Sequence, residues 1–228
     1  MKTLCIIQAR MGSTRLPGKV LEFICNKPLL IHVIDRVKKA KNVDEVIVAT
    51  TNLERDNIII KTLEQYNIKF YRGSENDVLS RYYEAAKRFN GDIIVRVTSD
   101  DPLIDYNHID LIVEDLIKNN ADYSCNNWIK SFPYGLDVEC FTMKALERAN
   151  KEATELCERE HVTPFIRDIK NNFNISYIYS KVNLHNIRLT VDTKEDLEFV
   201  KHIYENIYTD NHNFCTSDII NFINNTSK

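Results

Sequence analysis

The sequence predicts an α/β protein, a three-layer sandwich in which helices cover both faces of a mixed, mostly parallel sheet. Short apolar runs typical of buried parallel strands alternate with segments of helical periodicity along the first half of the chain. Polar and charged residues follow these apolar runs, as expected at the edge of a parallel sheet where ligands bind. The 228 residues can form one domain of this class with a small elaboration.

The first half of the chain alternates between strands and helices. Leu29, Leu30 and Val33 recur at helical spacing after Pro28, which suits the first turn of a helix. Parallel strands joined by crossover helices account for this alternation. The predicted strands are Leu4–Ile7, Val43–Thr51, Ile68–Tyr71 and Asp92–Thr98, and the predicted helices are Pro28–Lys41, Glu54–Tyr66, Asn76–Phe89 and Asn107–Asn119.

The second half of the chain has a less regular pattern. A polar and aromatic link, Trp128–Gly135, separates two short apolar runs, and Pro164 interrupts or begins a helix. We expect this half to elaborate the single domain, residues 1–228, that the first half begins. The predicted strands are Ala121–Asn127, Leu136–Phe141, Phe173–Ser180 and Ile187–Val191, and the predicted helices are Thr142–Lys151, Glu158–Ile169, Lys194–Ile207 and Ser217–Asn224.

The most informative stretch is the polar loop that follows the first predicted strand. Cations, hydroxyl groups and two of the five glycines of the chain lie close together in this loop. Glycine lets the backbone approach a ligand, and cations with hydroxyl groups bind phosphate oxygens. The loop therefore predicts a polyphosphate site. Its residues are Arg10, Gly12, Ser13, Thr14, Arg15, Gly18 and Lys19.

This loop differs from the P-loop of ATPases. The P-loop has four residues between its glycines and a Ser or Thr after its Lys. Here five residues separate Gly12 from Gly18, and Val20 follows Lys19. The spacing disfavours a P-loop ATPase.

Composition and charge argue against several classes of protein. The net charge of −3 gives no general attraction to nucleic acid or to an anionic membrane, so we expect neither as a partner. No apolar run approaches the ~20 residues of a membrane span, and the apolar run after Met1 is too short for a secretion signal. The six cysteines are scattered singly, which disfavours a zinc or redox-dithiol site. We expect a cytoplasmic protein.

Two aspartates are candidate metal ligands because each follows a predicted strand. Asp100 comes after Asp92–Thr98, and Asp192 comes after Ile187–Val191. Mg²⁺ typically binds one or two carboxylates together with phosphate oxygens and water. The structural alternative is that both aspartates cap helices. Asp101 is a possible further ligand, and the sequence leaves this question open.

The loop sequence QARMGSTRLPGKVL resembles the signature loop of SpsF-type cytidylyltransferases, which are related to the CMP-Kdo and CMP-sialate synthetases. The resemblance implies a Rossmann-like sandwich of the nucleotide-diphospho-sugar transferase type, CTP as substrate, Mg²⁺ as cofactor and a homodimer. Residues 1–120 would form the nucleotide-binding half, and residues 121–228 the acceptor-binding and dimerisation half. Further matching segments are DVLSRYYEAA, SDDP, YGLDVE, EREHVTP and VDTKEDL, of which SDDP departs from the T-G-D-x-P pattern at Ser99 and Asp101.

The resemblance implies catalytic roles for Arg10, Lys19 and Asp100. Arg10 and Lys19 would grip the triphosphate and stabilise the charge of the departing pyrophosphate. Asp100 and Asp192 would bind Mg²⁺. Arg81 would line the cytosine pocket, where a planar guanidinium suits the O2 and N3 acceptors of the base. The predicted nucleotide-binding residues are Ala9, Arg10, Met11, Gly12, Ser13, Arg15, Lys19, Thr50, Arg81 and Thr98.

The acceptor would bind to the second half of the chain. Strand alternation places Asp137 and Glu139 on one face, where two carboxylates suit a hydroxyl or amino group. His161 either binds an acceptor anion or has a structural role. Arg188 either meets a phosphate or the acceptor, or packs at the edge of the core. The predicted acceptor-binding residues are Tyr134, Asp137, Glu139, Arg159 and His161.

Together these features predict a Mg²⁺-dependent cytidylyltransferase. It would transfer CMP from CTP to a sugar acid or a phosphorylated small molecule, release pyrophosphate, and serve surface polysaccharide or capsule biosynthesis. The alternatives are a nucleotide-sugar-dependent glycosyltransferase of the same fold and a catalytically inactive nucleotide-binding regulator. A glycosyltransferase would not need Arg10 and Lys19 for outer phosphates, and the two candidate metal carboxylates disfavour an inactive regulator.

Overall fold

A computed structural model of the chain describes residues 1–208 and 212–226. It confirms the α/β class and the mixed, mostly parallel sheet. The strands in the described residues are β1 (Thr3–Gln8), β2 (Phe23–Ile24), β3 (Lys27–Pro28), β4 (Glu45–Thr51), β5 (Lys69–Gly73), β6 (Ile93–Thr98), β7 (Tyr123–Cys125), β8 (Glu139–Thr142) and β9 (Ile175–Tyr177).

Helices fill most of the connections between these strands. Within the described residues, no helix is both long enough and apolar enough to cross a membrane. The helices are α1 (Leu29–Val37), α2 (Asn57–Gln65), α3 (Val78–Arg88), α4 (Tyr106–Lys118), α5 (Met143–Glu152), α6 (Leu156–His161), α7 (Pro164–Arg167), α8 (Lys194–Ile207) and α9 (Thr216–Thr226).

The main sheet has seven strands in the order β5-β4-β1-β6-β8-β7-β9. β1 lies at its centre and pairs in parallel with β4 and β6, and β5 extends the parallel part beyond β4. β8 runs antiparallel to β6 and β7, which makes the sheet mixed. The carboxyl ends of β1, β4 and β6 therefore share one edge, which is where ligands bind in open α/β sheets.

The two faces of β1 enter two apolar cores. Cys5 and Ile7 pack in one core with apolar residues of α1, α4 and α8. Leu4 and Ile6 pack in the other core with apolar residues of α3 and α5. Because successive side chains of a strand point to opposite faces, a continuous apolar run is what a strand buried on both sides requires. The helix layers on both faces complete the predicted three-layer sandwich.

Two predictions of secondary structure are wrong. Ile187–Val191 forms no strand, and only an isolated bridge joins Tyr134 to Arg188 in this region. The predicted helix Glu158–Ile169 is divided: α6 ends at His161, the φ of 72° at Val162 leaves the helical range, and α7 begins at Pro164. A proline lacks the backbone N–H that a continuous helix would need there.

The short β2–β3 hairpin was not predicted, and His32 on α1 attaches it to the helix. The imidazole Nε2 lies 2.7 Å from the carbonyl oxygen of Ile24 on β2. His32 is 2 % exposed, and burial lowers its pKa to about 4. A neutral imidazole that faces a carbonyl oxygen must carry its proton on Nε2 and donate it.

We predict that His32 makes the protein less stable as the pH falls from about 6.5 to 4. The pKa in the folded protein is about 4, which is below the ordinary value, so the unfolded chain binds the proton more readily. The stabilisation is complete above the unfolded pKa and is lost as the pH falls toward the folded one. In His32→Gln, the decrease in the free energy of unfolding over this range should be smaller by roughly 2 kcal/mol.

Urea unfolding at a series of pH values measures this difference. His202→Gln is the control, because His202 is exposed on α8 and should leave the pH dependence unchanged. Parallel pH profiles for wild type and His32→Gln would contradict a buried neutral His32.

Candidate active site

A polar cleft of about 290 Å³ opens at the shared carboxyl edge of β1 and β6. The loop after β1 forms one wall, and the residues after β6 together with Asp192 form the other. The structure thus brings together most of the predicted nucleotide-binding and metal-binding residues. These are Ala9, Arg10, Gly12, Ser13, Arg15, Lys19, Arg81, Thr98, Asp100 and Asp192.

The loop after β1 is held in place by a buried aspartate. One carboxylate oxygen of Asp56 accepts the backbone N–H of Met11 at 2.7 Å, and the other accepts the hydroxyl of Thr51. The carbonyl of Met11 then accepts the N–H groups of Ser13 and Gly18 at 2.9 and 3.1 Å. These bonds close the loop on itself. The backbone of Met11 is therefore an internal anchor, and Met11 does not line the cleft.

The local structure explains why both positions in the loop are glycine. Gly18 has a φ of 76°, in the left-handed region that favours glycine. A Cβ at Gly12 would lie 2.8 Å from Nη2 of Arg55, so glycine permits this close approach. Arg55 forms an ion pair with Glu75, whose Oε1 also lies 3.7 Å from Nη1 of Arg10. Glu75 thus holds two cations beside the loop.

Lys19, from the loop, contacts the two aspartates on the opposite wall of the cleft. Its ammonium Nζ lies 2.8 Å from Oδ2 of Asp100 and 2.9 Å from Oδ1 of Asp192. It also donates to the carbonyl of Val191 at 2.7 Å. Burial acts to lower the pKa of Lys19, but the two carboxylates outweigh burial and raise that pKa. The ammonium therefore stays charged between two anions.

The backbone explains why residues so far apart in sequence meet here. The N–H of Val191 donates to the carbonyl of Asp100 at 2.8 Å, and the hydroxyl of Thr190 approaches the same carbonyl at 3.2 Å. Gly135 lets the chain pass close by, because a Cβ there would lie 2.4 Å from the backbone nitrogen of Thr190. The segment 188–192 is thereby fixed beside the end of β6.

Two arginines also neutralise Asp192. Nη2 of Arg15 lies 2.9 Å from Oδ1, and Nη2 of Arg188 lies 2.8 Å from Oδ2. Burial acts to raise the pKa of Asp192, but Lys19 and Arg188 outweigh burial and lower it. Asp196, at the start of α8, orients Arg188 through a bond of 2.7 Å to Nε. Arg188 therefore holds the carboxylate of Asp192 and packs over the ring of Tyr134 at 5.0 Å.

The donor set at this point fits a magnesium ion. Asp100 and Asp192 are hard oxygen donors, and the Lys19 ammonium already lies between them as a cation. Within residues 1–208 and 212–226, no group of three or more His, Cys, Asp or Glu side chains is placed to hold a metal. Two carboxylates suit Mg²⁺, which takes further ligands from substrate phosphates and water. Asp101, the possible further ligand, is not one of the carboxylates that Lys19 contacts. Its buried carboxyl accepts the hydroxyl of Thr98 at 2.7 Å.

Arg81 lies on α3 with its guanidinium at the cleft. The side chain is 3 % exposed, and Nη1 donates to the carbonyl of Ser74 at 2.7 Å. Its Nε is buried and has no hydrogen-bond partner within the described residues. Gln8 also lines the cleft, and its buried Oε1 lacks a partner in the same part of the chain. Both residues therefore line the cleft, and each also has one buried polar atom without a partner in the described residues.

A second cavity of about 390 Å³ adjoins the cleft. It contains predicted acceptor residues and is named the acceptor cavity. Tyr134, Asp137 and His161 line it, and it shares Thr98, Asp100 and Asp192 with the nucleotide cleft. Burial raises the pKa of Asp137, whose Oδ2 lies 3.4 Å from the side-chain nitrogen of Asn127. A molecule in this cavity would reach the carboxylates at the edge of the sheet.

The structure gives two predicted site residues other partners and places a third away from the cleft. Thr50 is fully buried and lies outside the cleft. Arg159 turns away from both cavities, because its guanidinium binds Asp77 at the start of α3 and the side chain of Asn150. Glu139 borders the second cavity, but Arg96, Tyr123 and Thr163 occupy its carboxylate. The structure therefore gives no support to the predicted ligand roles of Thr50, Arg159 and Glu139.

The anchor Asp56 and its neighbours Arg55 and Glu75 were not found by sequence reasoning. They lie on the β4–α2 and β5–α3 connections, far from the loop in sequence. No local pattern connects them to it. Gln8 could have been found, because it is the last residue of β1 and directly precedes the predicted loop.

The chain is similar in sequence to known proteins. The family model described as cytidylyltransferase matches residues 4–214. An uncharacterized protein of Methanocaldococcus jannaschii is 45% identical over 208 residues, which are 89% of this chain and 84% of that protein. The spore coat polysaccharide biosynthesis protein SpsF of Bacillus subtilis is 32% identical over 209 residues, 89% of this chain and 86% of its own length.

Solved structures show the same relationship. A cytidylyltransferase from Leptospira borgpetersenii superposes with a TM-score of 0.93 at 34% identity, covering 100% of this chain and 95% of that chain. The CMP:2-keto-3-deoxy-manno-octonic acid synthetase complexed with CTP superposes with a TM-score of 0.68 at 19% identity. It covers 90% of this chain and 99% of that chain, and it shows the shared fold.

Proposed function

This chain belongs to the cytidylyltransferase family, and from that premise we propose that it transfers CMP from CTP to a sugar acid or a phosphorylated small molecule. An oxygen of the acceptor forms a bond to the α-phosphorus as the bond to the bridging oxygen of the β-phosphate breaks. Pyrophosphate leaves, and a hydroxyl acceptor also loses its proton. No covalent intermediate with the protein is required, so catalysis consists of positioning and charge stabilisation.

One observation carries this proposal. Loop cations and two aspartates converge on one cleft, with Lys19 in contact with both Asp100 and Asp192. A triphosphate needs cations around its oxygens, and a triphosphate-bound metal needs carboxylates next to those cations. A plain basic turn would need neither aspartate.

The cations act on the outer phosphates. Arg10 and Arg15 are 44% and 63% exposed at the mouth of the cleft, where a triphosphate would replace their present carboxylate partners. Lys19 lies deeper, with 10% of its side chain exposed. Cations that hold the β- and γ-phosphates stabilise the negative charge that develops on departing pyrophosphate.

Asp100 and Asp192 would hold the magnesium ion. When bound, this ion would neutralise phosphate charge and make pyrophosphate a better leaving group. Arg188 and Lys19 keep Asp192 ionised and therefore able to bind a cation. The fixed bond from Val191 to the backbone of Asp100 keeps the two carboxylates together.

Arg81 and Thr98 would recognise the nucleoside. The guanidinium of Arg81 lines the cleft, and its planar set of donors suits the O2 or N3 of cytosine. CTP should therefore be preferred over the other nucleoside triphosphates. A role in surface polysaccharide or capsule biosynthesis is consistent with the name of the B. subtilis relative. The homodimer and the cytoplasmic location stay predictions.

Pyrophosphate release tests the proposed function. The purified protein, with Mg²⁺, is assayed with each of CTP, UTP, ATP and GTP against a panel of sugar acids, phosphorylated amino acids and polyol phosphates. We expect release with CTP only, and Asp100→Asn should lower it by roughly a hundredfold or more, as for loss of one strong electrostatic contact. The proposal would be wrong if none of the acceptors in the panel supported turnover. It would also be wrong if the Asp100→Asn variant were as active as wild type.

Replacing Lys19 should change two affinities in opposite directions. We predict that Lys19→Met binds Mn²⁺, as a stand-in for Mg²⁺, more tightly than wild type when no nucleotide is present, by roughly tenfold. The ammonium that now lies between Asp100 and Asp192 no longer competes with the metal. The same variant should lose roughly tenfold in CTP affinity and much less in CMP affinity, because it lacks one charge-assisted bond to the outer phosphates.

Electron paramagnetic resonance of Mn²⁺ and calorimetric titration of the nucleotides measure these affinities. Lys27→Met is the matched control, because Lys27 pairs with a single carboxylate, Asp35, outside the cleft. It should change neither affinity. A Lys19→Met variant that binds Mn²⁺ no better than wild type would show that the ammonium does not compete for the metal position.

A further inference from the structure

A third cavity of about 530 Å³ continues from the acceptor cavity and contains two arginines. It shares Arg96, Asn127, Glu139 and His161 with the acceptor cavity. The acceptor cavity in turn shares Asp100 with the nucleotide cleft. A molecule can therefore extend from the phosphate site through the acceptor cavity to these arginines.

Arg96 points from β6 into this region with donors to spare. Its Nη1 forms an ion pair with Glu139, and its side chain is 15% exposed. Its Nε is buried and has no hydrogen-bond partner in the described part of the chain. A guanidinium offers five N–H donors, and buried donors are normally bonded. Because Arg96 lines both cavities and its side chain is partly exposed, its guanidinium can meet an oxygen anion in addition to Glu139.

Arg167 on α7 is held in a defined orientation by an aromatic platform. Its guanidinium lies 5.1 Å from the ring centre of Trp128, and Trp128 stacks on Tyr177 at 5.9 Å. Nη1 lies 3.3 Å from Oδ1 of Asn127 and 3.6 Å from Oε1 of Glu139. Stacking fixes the plane of the guanidinium while leaving its edge free to bind a planar or tetrahedral anion.

Charge balance favours an anion between the two arginines. Glu139 is the buried carboxylate that faces both, and its Oε1 also accepts the hydroxyls of Tyr123 at 2.5 Å and Thr163 at 2.7 Å. Asp168 lies at the exposed mouth, where it accepts the backbone N–H of Lys170. Asp137 also interacts with both arginines, but it lines the acceptor cavity and not the third cavity. The lining of the third cavity itself therefore holds two guanidinium groups and one buried carboxylate, which leaves a local excess of positive charge. Glu139 therefore positions the arginines.

The position of this charge restricts the acceptor. The oxygen that attacks CTP must lie near the α-phosphate, in the part of the acceptor cavity that borders Asp100. An anion on Arg96 and Arg167 lies farther along the path and is a different group from the attacking one. We propose that Arg96 and Arg167 form a subsite for a non-reacting carboxylate or phosphate of the acceptor. This inference rests on the proposed function for its assignment to the acceptor.

The restriction separates three chemical classes of acceptor. A sugar acid has a carboxylate besides its attacking hydroxyl, and a phosphorylated amino acid has a carboxylate besides its attacking phosphate. A polyol monophosphate such as glycerol 3-phosphate has only the phosphate that would attack. The first two classes fit the subsite, and the third leaves it unfilled.

Trp128 reports on the subsite directly, because it is the single tryptophan of the chain and lies under Arg167. The full-length protein is first saturated with Mg²⁺ and a CTP analogue that has a methylene group between the α- and β-phosphates, so the loop cations are occupied. Glycolate and inorganic phosphate are then titrated separately, and the two curves distinguish a carboxylate subsite from a phosphate subsite. We expect saturable changes in Trp128 fluorescence with at least one of them.

Arg167→Met should raise the dissociation constant of that anion at least roughly tenfold, which is the effect of losing a charge-assisted hydrogen bond. Arg96→Lys, which keeps the charge but loses the planar fork, should also weaken the anion and serves as a second test should Arg167→Met fail to fold. Arg148→Met is the matched control, because Arg148 lies over the ring of Phe173 at 4.5 Å and donates to Asn171, outside these cavities. Unchanged anion affinity in folded Arg167→Met or Arg96→Lys would overturn the subsite.

Turnover separates this inference from the proposed function. 3-Deoxy-manno-octulosonate, phosphoserine and glycerol 3-phosphate are compared as acceptors at saturating CTP. A subsite of this kind predicts that any acceptor used has a second anionic group and that Arg167→Met raises its KM with little change in the KM of CTP. Efficient use of glycerol 3-phosphate, with no effect of Arg167→Met, would overturn the subsite and leave the transferase assignment standing. Failure of the CTP analogue to bind would overturn the transferase assignment, whereas the fluorescence titration would still report on the anion.

Discussion

The contact of one ammonium with two carboxylates organises this protein. Lys19 lies 2.8 Å from Asp100 and 2.9 Å from Asp192, which are 81 and 173 positions farther along the chain. Two carboxylates this close repel each other unless a cation lies between them. The backbone bond between Val191 and Asp100 prevents them from separating. The fold thus requires positive charge at one point of the sheet edge. Under the proposed function, a metal-bound nucleotide would supply that charge when Lys19 turns to the phosphates.

The features predicted correctly from the sequence are those that local patterns encode. β1, β4 and β6 are buried on both sides, so their apolar runs are unambiguous, and the residues after them had to share one edge. The loop cations were found because their density exceeds what a turn needs. Asp192 lies at the cleft although Ile187–Val191 is not a strand, because the backbone bond from Val191 to Asp100 brings it there.

The errors come from pairings that no local pattern reveals. Alternation placed Glu139 on a cavity-facing side, but its carboxylate is occupied by Arg96 on the neighbouring strand and by Tyr123 and Thr163. Arg159 belongs to a matching motif, yet it binds Asp77 across 82 positions of sequence. The subsite arginines were missed for the same reason. Arg96 sits within a strand that reads as buried, and Arg167 acquires its setting only when α7 places it over Trp128.

A crystal structure of the protein with CTP, without an acceptor, and with Mn²⁺ in place of Mg²⁺ tests the central claim most directly. The account predicts an anomalous manganese signal in contact with both Asp100 and Asp192, with the Lys19 ammonium moved onto a phosphate oxygen. A manganese signal elsewhere, with Lys19 still between the two aspartates, would contradict it.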